Sequence, residues 1–413
     1  MSHDFVLSIV IPTRNRAEFA LAAIRQVLSI DQTDMQLVVQ DNSDDDSLRQ
    51  MCAEYAEDRR FLYNYSPGTL SFVDNFNEAV GLAAGEYVTV IGDDDGVNPE
   101  ILDVARWARA RDVRAIKPGL QAVYFWPNVG LPFMEATGDV GAFFINPISG
   151  DVAVRRTGPQ LRRLLHDGCQ EYLRRDLVKL YHGIVRRDGL ERVRDTVGRF
   201  FGGLSPDIYI AVALSAGIDE VVCIDYPLTI SGMCRTSGSV DSVTGRHTGV
   251  LRDAPHLVGH TGYQWAAEVP EFYSVETIWA DSALAALREM RRTDLLEKFK
   301  PQYLTAFCVL RHPEYERLAR EHYFAWQKSK GLSAEIARAV LSLASATISF
   351  REWAAIKWPE KTKTRSDGVR FDGIGDVSLA SRELTRHLET VGLSVRSCLD
   401  ELEAHLPARS IRT

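Results

Sequence analysis

The chain has 413 residues, 45% hydrophobic and 25% charged, with a formal net charge of −8. This is the composition of a globular protein long enough for two or three domains. The acidic balance argues against nucleic acid as a partner, so an anionic ligand would have to be held by local groups or through a metal. Six scattered cysteines with no C-x-x-C pair exclude zinc-ribbon and dithiol motifs and fit a reducing compartment. No run of about 18 apolar residues is present to span a membrane.

"FVLSIVIP" (5–12) is apolar and β-branched, has no basic segment before it, and reads as a first strand rather than a signal peptide. Pro12 ends it, and a helix pattern runs from Ala17 to Leu28 with Phe19, Ala23, Ile24, Val27 and Leu28 on one face. "MQLVVQD" (35–41) is the second strand, 46–56 is helical, "FLYNY" (61–65) is the third strand, 72–84 is helical, and "EYVTVIG" (86–92) is the fourth. This alternation predicts an α/β fold with a mostly parallel sheet flanked by helices. Residues 116–262 mix strands and loops, with strand runs in "AGIDEVVCIDYPLTIS" (216–231) and a Gly/Ser/Thr-rich stretch at 231–249 that reads as a mobile loop.

From 263 the pattern turns helical, most clearly at 274–292, 332–358 and 378–406, with a polar linker at 359–368. The helix 332–358 carries Leu332, Ile336, Val340, Leu343, Thr347, Phe350 and Trp353 as a stripe expected to face a core. Lys357, Lys361, Lys363 and Arg365 follow it, so contact with an anionic membrane surface is the alternative, and a homo-oligomer through these helices is a third.

In a sheet of this kind ligands bind beyond the carboxyl ends of the strands. Three polar clusters stand there: "TRNR" (13–16), "DNSDDD" (41–46) and "DDD" (93–95). Asp93 and Asp95 alternate, so they can face one side and share a divalent cation, Mn2+ or Mg2+, with substrate phosphates. A solvated acidic turn is the bland alternative. Arg14 or Arg16 can pair a phosphate, and Asp41 can accept from a base N–H. Asp44, Asp45 and Asp46 suit an exposed helix start. Neither G-x-G-x-x-G nor G-x-x-x-x-G-K-[ST] occurs, which argues against dinucleotide enzymes and P-loop NTPases.

Together, "SIVIPTRNR", "LVVQDNSDDDS" and "VDNFNEAVGLAAGEYVTVIGDDD" resemble family 2 glycosyltransferases of the GT-A fold, a Rossmann-like architecture. The resemblance runs to about residue 262. It implies a GT-A domain over 1–262, with a nucleotide-binding half (1–115) and an acceptor half (116–262), followed by a helical C-terminal region over 263–413. It assigns Pro12, Thr13, Arg14, Asn15, Arg16, Asp41, Asn75, Asp93 and Asp94 to a nucleotide-sugar donor, with UDP favoured, and Asp93 and Asp95 to the metal. It implies a glycan or lipid-linked saccharide acceptor, transfer with inversion, a role in surface polysaccharide assembly, and a cytoplasmic location, peripheral at the inner membrane where the helices touch it.

Inversion needs a base for the acceptor hydroxyl. Family members place Glu-Asp at a helix start, and here "GLSPDIYIAVALSA" (203–216) offers Asp207 after Ser205 at N-cap and Pro206 at N1. Glu171 and Asp176 are the reserves. His182 is a candidate metal or acceptor contact, and Arg235 a candidate to close over the diphosphate. Two rivals stand: a haloacid-dehalogenase-like phosphatase using Asp93 and Asp95, since Asp93-x-Asp95-Gly96-Val97 matches its nucleophile loop, and a non-catalytic scaffold for an assembly complex.

Overall fold

The computed structural model describes residues 4–405 except 69, 136–137, 246, 260–261 and 359–363. Its strands are β1 (Leu7–Thr13), β2 (Met35–Asp41), β3 (Phe61–Tyr65), β4 (Tyr87–Val90), β5 (Gly96–Val97), β6 (Ala115–Gly119) and β7 (Ala122–Phe125). They continue with β8 (Ala142–Ile145), β9 (Val152–Arg156), β10 (Ile184–Arg186), β11 (Glu220–Pro227), β12 (Thr229–Met233) and β13 (Val369–Asp372). The main sheet has the order β3-β2-β1-β4-β10-β6-β11-β9 and is mostly parallel, with β9 and β10 reversed. A second sheet, β13-β8-β7-β12-β5, closes over it.

All seven residues of β1 and of β2 are buried, because helices cover both faces of the sheet. The register sets Thr13 beside Asp41 and Asp41 beside Tyr65, so the strands end level. One core packs the face carrying helix Ala17–Leu28. The other packs helices Phe72–Gly81, Pro206–Ser215 and Val275–Glu289. Local chemistry fixes the helix starts: Ser71 accepts from the Asp74 N–H, and Ser274 with Thr277 forms a full capping box.

The C-terminal region divides in two. Helices Pro301–Arg311, Glu316–Ser329 and Ala334–Lys357 stack beside Val275–Glu289. The chain then crosses back: β13 pairs antiparallel with β8, and helix Val377–Thr390 lies on Ala17–Leu28. The Gln26 amide donates to Ser381 Oγ (3.1 Å) and to Val97 O (3.0 Å), and Trp107 Nε1 donates to Glu403 (2.7 Å). Val377, Leu384 and Leu399 belong to the same core as Ile9 and Ile24.

Four expectations are corrected. Residues 231–249 are not a loop throughout, because β12 occupies 229–233 and a helix, Gly238–Val243, is capped by Ser237. Residues 46–56 break into Ser47–Met51 and a single 3-10 turn, Ala53–Tyr55. In the linker, 359–363, with Lys361 and Lys363, lie outside the described residues, while Arg365 and Ser366 donate backbone N–H groups to Ile148 O and lead into β13. Helix Ala334–Lys357 buries Ala337, Leu341, Ala344 and Ile348, so Ile336, Leu343, Phe350 and Trp353 of the expected core stripe face water.

Because residues 377–402 complete the N-terminal core, Leu384→Ala is expected to cost roughly 2–5 kcal/mol. The loss should appear in urea unfolding and equally as faster amide exchange in helix 17–28. Exchange confined to 377–402 would contradict the shared core.

Candidate active site

The strand ends bring the first two polar clusters together. Asn15 has φ 55°, a left-handed turn that asparagine tolerates. Its N–H donates to Ser43 Oγ (2.8 Å), and its side chain exchanges hydrogen bonds with Asp44 (2.9 Å each). Arg14 pairs with Asp44 at 3.3 Å on the surface. Asp41 is fully buried and accepts from the Ser43 N–H (2.9 Å) and from Tyr63 O–H (2.5 Å). Asn75 donates to Thr13 O, which follows Pro12 at the end of β1, at 3.2 Å. Its Oδ1 is buried with no protein partner, an acceptor left for a ligand donor.

The aspartate triplet is not a solvated turn. Asp93, Asp94 and Asp95 are 3%, 4% and 1% exposed. Arg16 spans the first two, 3.1 Å from Asp93 Oδ1 and 2.8 Å from Asp94 Oδ2. Thr13 Oγ1 donates to Asp93 Oδ2 (2.6 Å). Asp95 takes three donors: the Gly92 N–H (2.6 Å), Tyr181 O–H (2.9 Å) and the Gly232 N–H (2.7 Å). The Cys234 N–H reaches Asp94 Oδ2 at 3.2 Å. β12 therefore holds the triplet from the side, and it comes so close that a Cβ on Gly232 would sit 1.9 Å from Asp94 O.

One guanidinium does not balance three buried carboxylates. Burial, followed by the neighbouring carboxylates, pushes Asp94 up to about 7 despite Arg16, and raises Asp93 as well. Burial alone would lower Arg16, but Asp93 and Asp94 hold it above its ordinary value.

The surplus negative charge and the hard oxygen donors fit a divalent cation. Among the described residues no three ligating side chains converge on one point. The fit is therefore to a cation shared with ligand phosphates, not to a closed protein cage. Counting lone pairs, Asp93 with two side-chain partners has more capacity left than Asp95 with three donors. His182 does not join them as a third ligand: its Nδ1 lies 2.9 Å from Thr229 Oγ1 and its Nε2 3.4 Å from Asp95 Oδ2. Burial lowers its pKa, so it stands as a neutral neighbour of Asp95.

Residues C-terminal to the matched strands supply a second group of buried polar side chains. Asp207 sits in the first turn of helix Pro206–Ser215 behind Pro206. Burial pushes it up to about 6; the charge of Asp95 adds to the rise and Lys179 opposes it. Lys179 is buried, bonded to Leu173 O (2.9 Å) and lowered to about 7 by burial and then Lys117. Lys179 borders a cavity of about 530 Å3, lined also by Lys117, Gln121, Asp151, Asp176, Tyr181 and His182 among others. Gln121 Oε1 is buried there without a protein partner.

Of the reserves, Glu171 is taken up by Arg174, Arg175 and Arg351, and Asp176 by Lys117 at 2.6 Å. Arg235 is exposed, and its segment reaches the aspartates through the Cys234 N–H instead. Tyr181, Gly232, Cys234 and Lys179 were missed by sequence reading. They lie some 85–140 positions from the triplet, and no local motif announces them.

Residues 8–121 match the family model "Glycosyl transferase family 2". The match covers 114 of the chain's 413 residues. WcaA of Escherichia coli (strain K12), whose name places it among colanic acid biosynthesis glycosyl transferases, is 32% identical over 105 residues. That alignment covers 25% of this chain and 38% of WcaA, well under half of the relative's length. The structure of S. aureus TarS 1-349 in complex with UDP-GlcNAc superposes with a TM-score of 0.51 at 14% identity, covering 84% of this chain and 92% of that one. The fold is GT-A, and the matched family 2 segment carries the Arg16–aspartate cluster. The triplet follows β4, with three strands of the same parallel run, β1 to β3, preceding it in the chain; a phosphatase nucleophile loop would follow the first strand.

Arg16→Met leaves Asp93 and Asp94 buried without their cation. It is expected to cost roughly 3–5 kcal/mol at pH 8. A carboxylate with a raised folded pKa carries its penalty above that pKa and loses it below. Without Arg16 the Asp94 carboxyl rises further. Its share of the deficit should therefore shrink as pH falls toward about 7 and level off below, where Asp94 is protonated in both proteins, read as urea midpoints of both proteins across pH 6–9.

Proposed function

We propose that the protein transfers a sugar from a nucleotide-sugar donor to a saccharide hydroxyl with inversion, using Asp207 as base. The observation that carries this reading is the placement of Asp207. It is a carboxylate from the acceptor half, within electrostatic reach of Asp95 on one side and of Lys179, which lines a polar cavity, on the other.

The nucleotide would occupy the strand ends, with Asp41 and Asn75 toward base and ribose and the Thr13–Arg16 turn and Asp94 around the diphosphate. A divalent cation, Mn2+ or Mg2+, would be held by Asp93 and Asp95 and would neutralise charge on the departing diphosphate. The acceptor would sit in the cavity, where Gln121, Asp151 and Lys117 offer both donors and acceptors to sugar hydroxyls. In the transfer, the acceptor oxygen bonds to the anomeric carbon, the bond to the diphosphate oxygen breaks, and the hydroxyl proton passes to Asp207.

At pH 7 to 8 a group of pKa about 6 is ionised and still basic enough to take that proton. TarS was solved with UDP-GlcNAc, which makes uridine nucleotides the first to test. The name of WcaA supports surface polysaccharide as the setting. No helix among the described residues is long and apolar enough to cross a membrane. A lipid-linked acceptor would then be met at the membrane surface.

Calorimetry with UDP, GDP and dTDP, each with and without Mn2+, should show metal-dependent binding of one nucleotide by wild type and its loss in Asp95→Ala. No binding of any nucleotide under either condition would sink the proposal. Asp207→Asn should bind the same nucleotide as wild type yet transfer sugar ~10²–10⁴-fold more slowly. In wild type, kcat/KM should rise with pH through about 6, where Asp207 loses its proton, and level off above. A profile flat from pH 5 to 8, with full activity in Asp207→Asn, would remove Asp207 from the role.

A further inference from the structure

Helix Ala334–Lys357 presents a second apolar line on the side away from its buried residues. Ile336, Ala339, Leu343, Ala346, Phe350 and Trp353 are all exposed. Their spacing alternates three and four without a break. That is the seam of a helix that meets another helix, and it runs for about 26 Å. The buried residues Ala337, Leu341, Ala344 and Ile348 lie on the opposite face and anchor the helix to the body.

We propose that this seam pairs with the same seam of a second copy of the chain, antiparallel, about a two-fold axis between Ala344 and Ser345. In that register Ile336 faces Trp353 of the second copy, Ala339 faces its Phe350, and Leu343 faces its Ala346. Both aromatics and the leucine meet a smaller residue, so close-packed helices need no cavity and no overlap. A parallel pairing would set Phe350 against Phe350 and Ala339 against Ala339, crowding one level and leaving the other thin. A two-fold axis also requires a self-complementary surface, which this sequence has.

The amount of surface agrees. Ile336 is 52% exposed, Leu343 69%, Phe350 61% and Trp353 46%. With the exposed Ala339 and Ala346 these residues leave roughly 600 Å2 in water, the same order as the ~800 Å2 per partner of a standard interface. Each body lies behind its own helix, so nothing on the anchored side enters the contact.

The positions bordering the seam favour a protein helix over an anionic bilayer. They are Glu335, Ser342 and Ser349 on one side and Val340, Thr347 and Ala354 on the other; the one basic residue in line with the seam is Lys357 at its end, whose ammonium lies over the Trp353 ring. A helix lying on such a membrane carries Lys and Arg along its polar border. Here the nearest charges are mixed, and Arg351 is already paired with Asp167 and Glu171.

The test uses the full chain. Sedimentation equilibrium should show two chains per particle for wild type and one for Leu343→Glu, a rise in the dissociation constant of roughly 100-fold or more. Phe350→Glu, at another exposed position, should do the same. Both variants should keep the circular dichroism and the melting point of the wild-type monomer. Mixing Ala339→Cys with Phe350→Cys under oxidising conditions should give the crossed disulfide dimer, while Ala339→Cys alone should give none. A wild type monomeric up to about 100 µM, a dimer unaffected by either glutamate, or self-linking of Ala339→Cys would overturn the proposal. So would a monomeric wild type that floats with phosphatidylglycerol vesicles while Leu343→Glu does not, an outcome that assigns the face to a membrane.

Discussion

Three consecutive buried carboxylates are expensive to hold, and much of the architecture answers that cost. Arg16 neutralises part of the charge from the turn after β1, and Thr13 adds a hydroxyl. The rest comes from the Tyr181 hydroxyl and from fixed dipoles: N–H groups of Gly92, Gly232 and Cys234. Those last two require β12 to run along the triplet, which requires a glycine at 232 and the partner strands β5 and β7. Unpaired, each buried carboxylate would cost several kcal/mol, so the order of the second sheet follows from the need to supply donors at one spot.

The compensation is incomplete, and its shortfall shapes the site. Asp94 and Asp207 are both raised, to about 7 and about 6, by burial and by other carboxylates. Lys179, lowered to about 7, contributes only part of a positive charge near neutral pH. The free protein therefore holds an electrostatic imbalance that a cation arriving with a diphosphate would relieve. The same imbalance keeps Asp207 basic. Binding and proton transfer would thus draw on one property of the cluster.

The parallel strands were legible because they announce themselves twice: as apolar runs buried on both faces, and as polar residues where the runs stop. The gathering of Thr13, Asp41 and Asp93 at strand ends could be read that way. The place of Asp207 in a first helical turn was readable because Ser-Pro-Asp marks a helix start. The role of Arg16 was half visible: its position pointed to an anion, but the anion it meets in the protein is Asp93–Asp94. Tyr181, Gly232 and Lys179 carry no periodic or turn signature, since tertiary contact alone defines their place. The helix 334–357 misled for a physical reason. It has two apolar faces, Ala337–Leu341–Ala344–Ile348 and Ile336–Leu343–Phe350, and periodicity cannot say which one the body buries.

The return of residues 369–402 onto helix Ala17–Leu28 bears on how the protein is made. Gln26 waits for Ser381, and Trp107 for Glu403. On the ribosome, the helix that carries Arg16 into place must remain with one flank uncovered while some 350 further residues are synthesised. Contacts so distant in sequence form late and slowly. The first hundred residues, though they hold the Arg16–aspartate cluster, would emerge as a chaperone client and not as a finished module, and a ribosome stalling before residue 380 would release a chain with its first helix still bare.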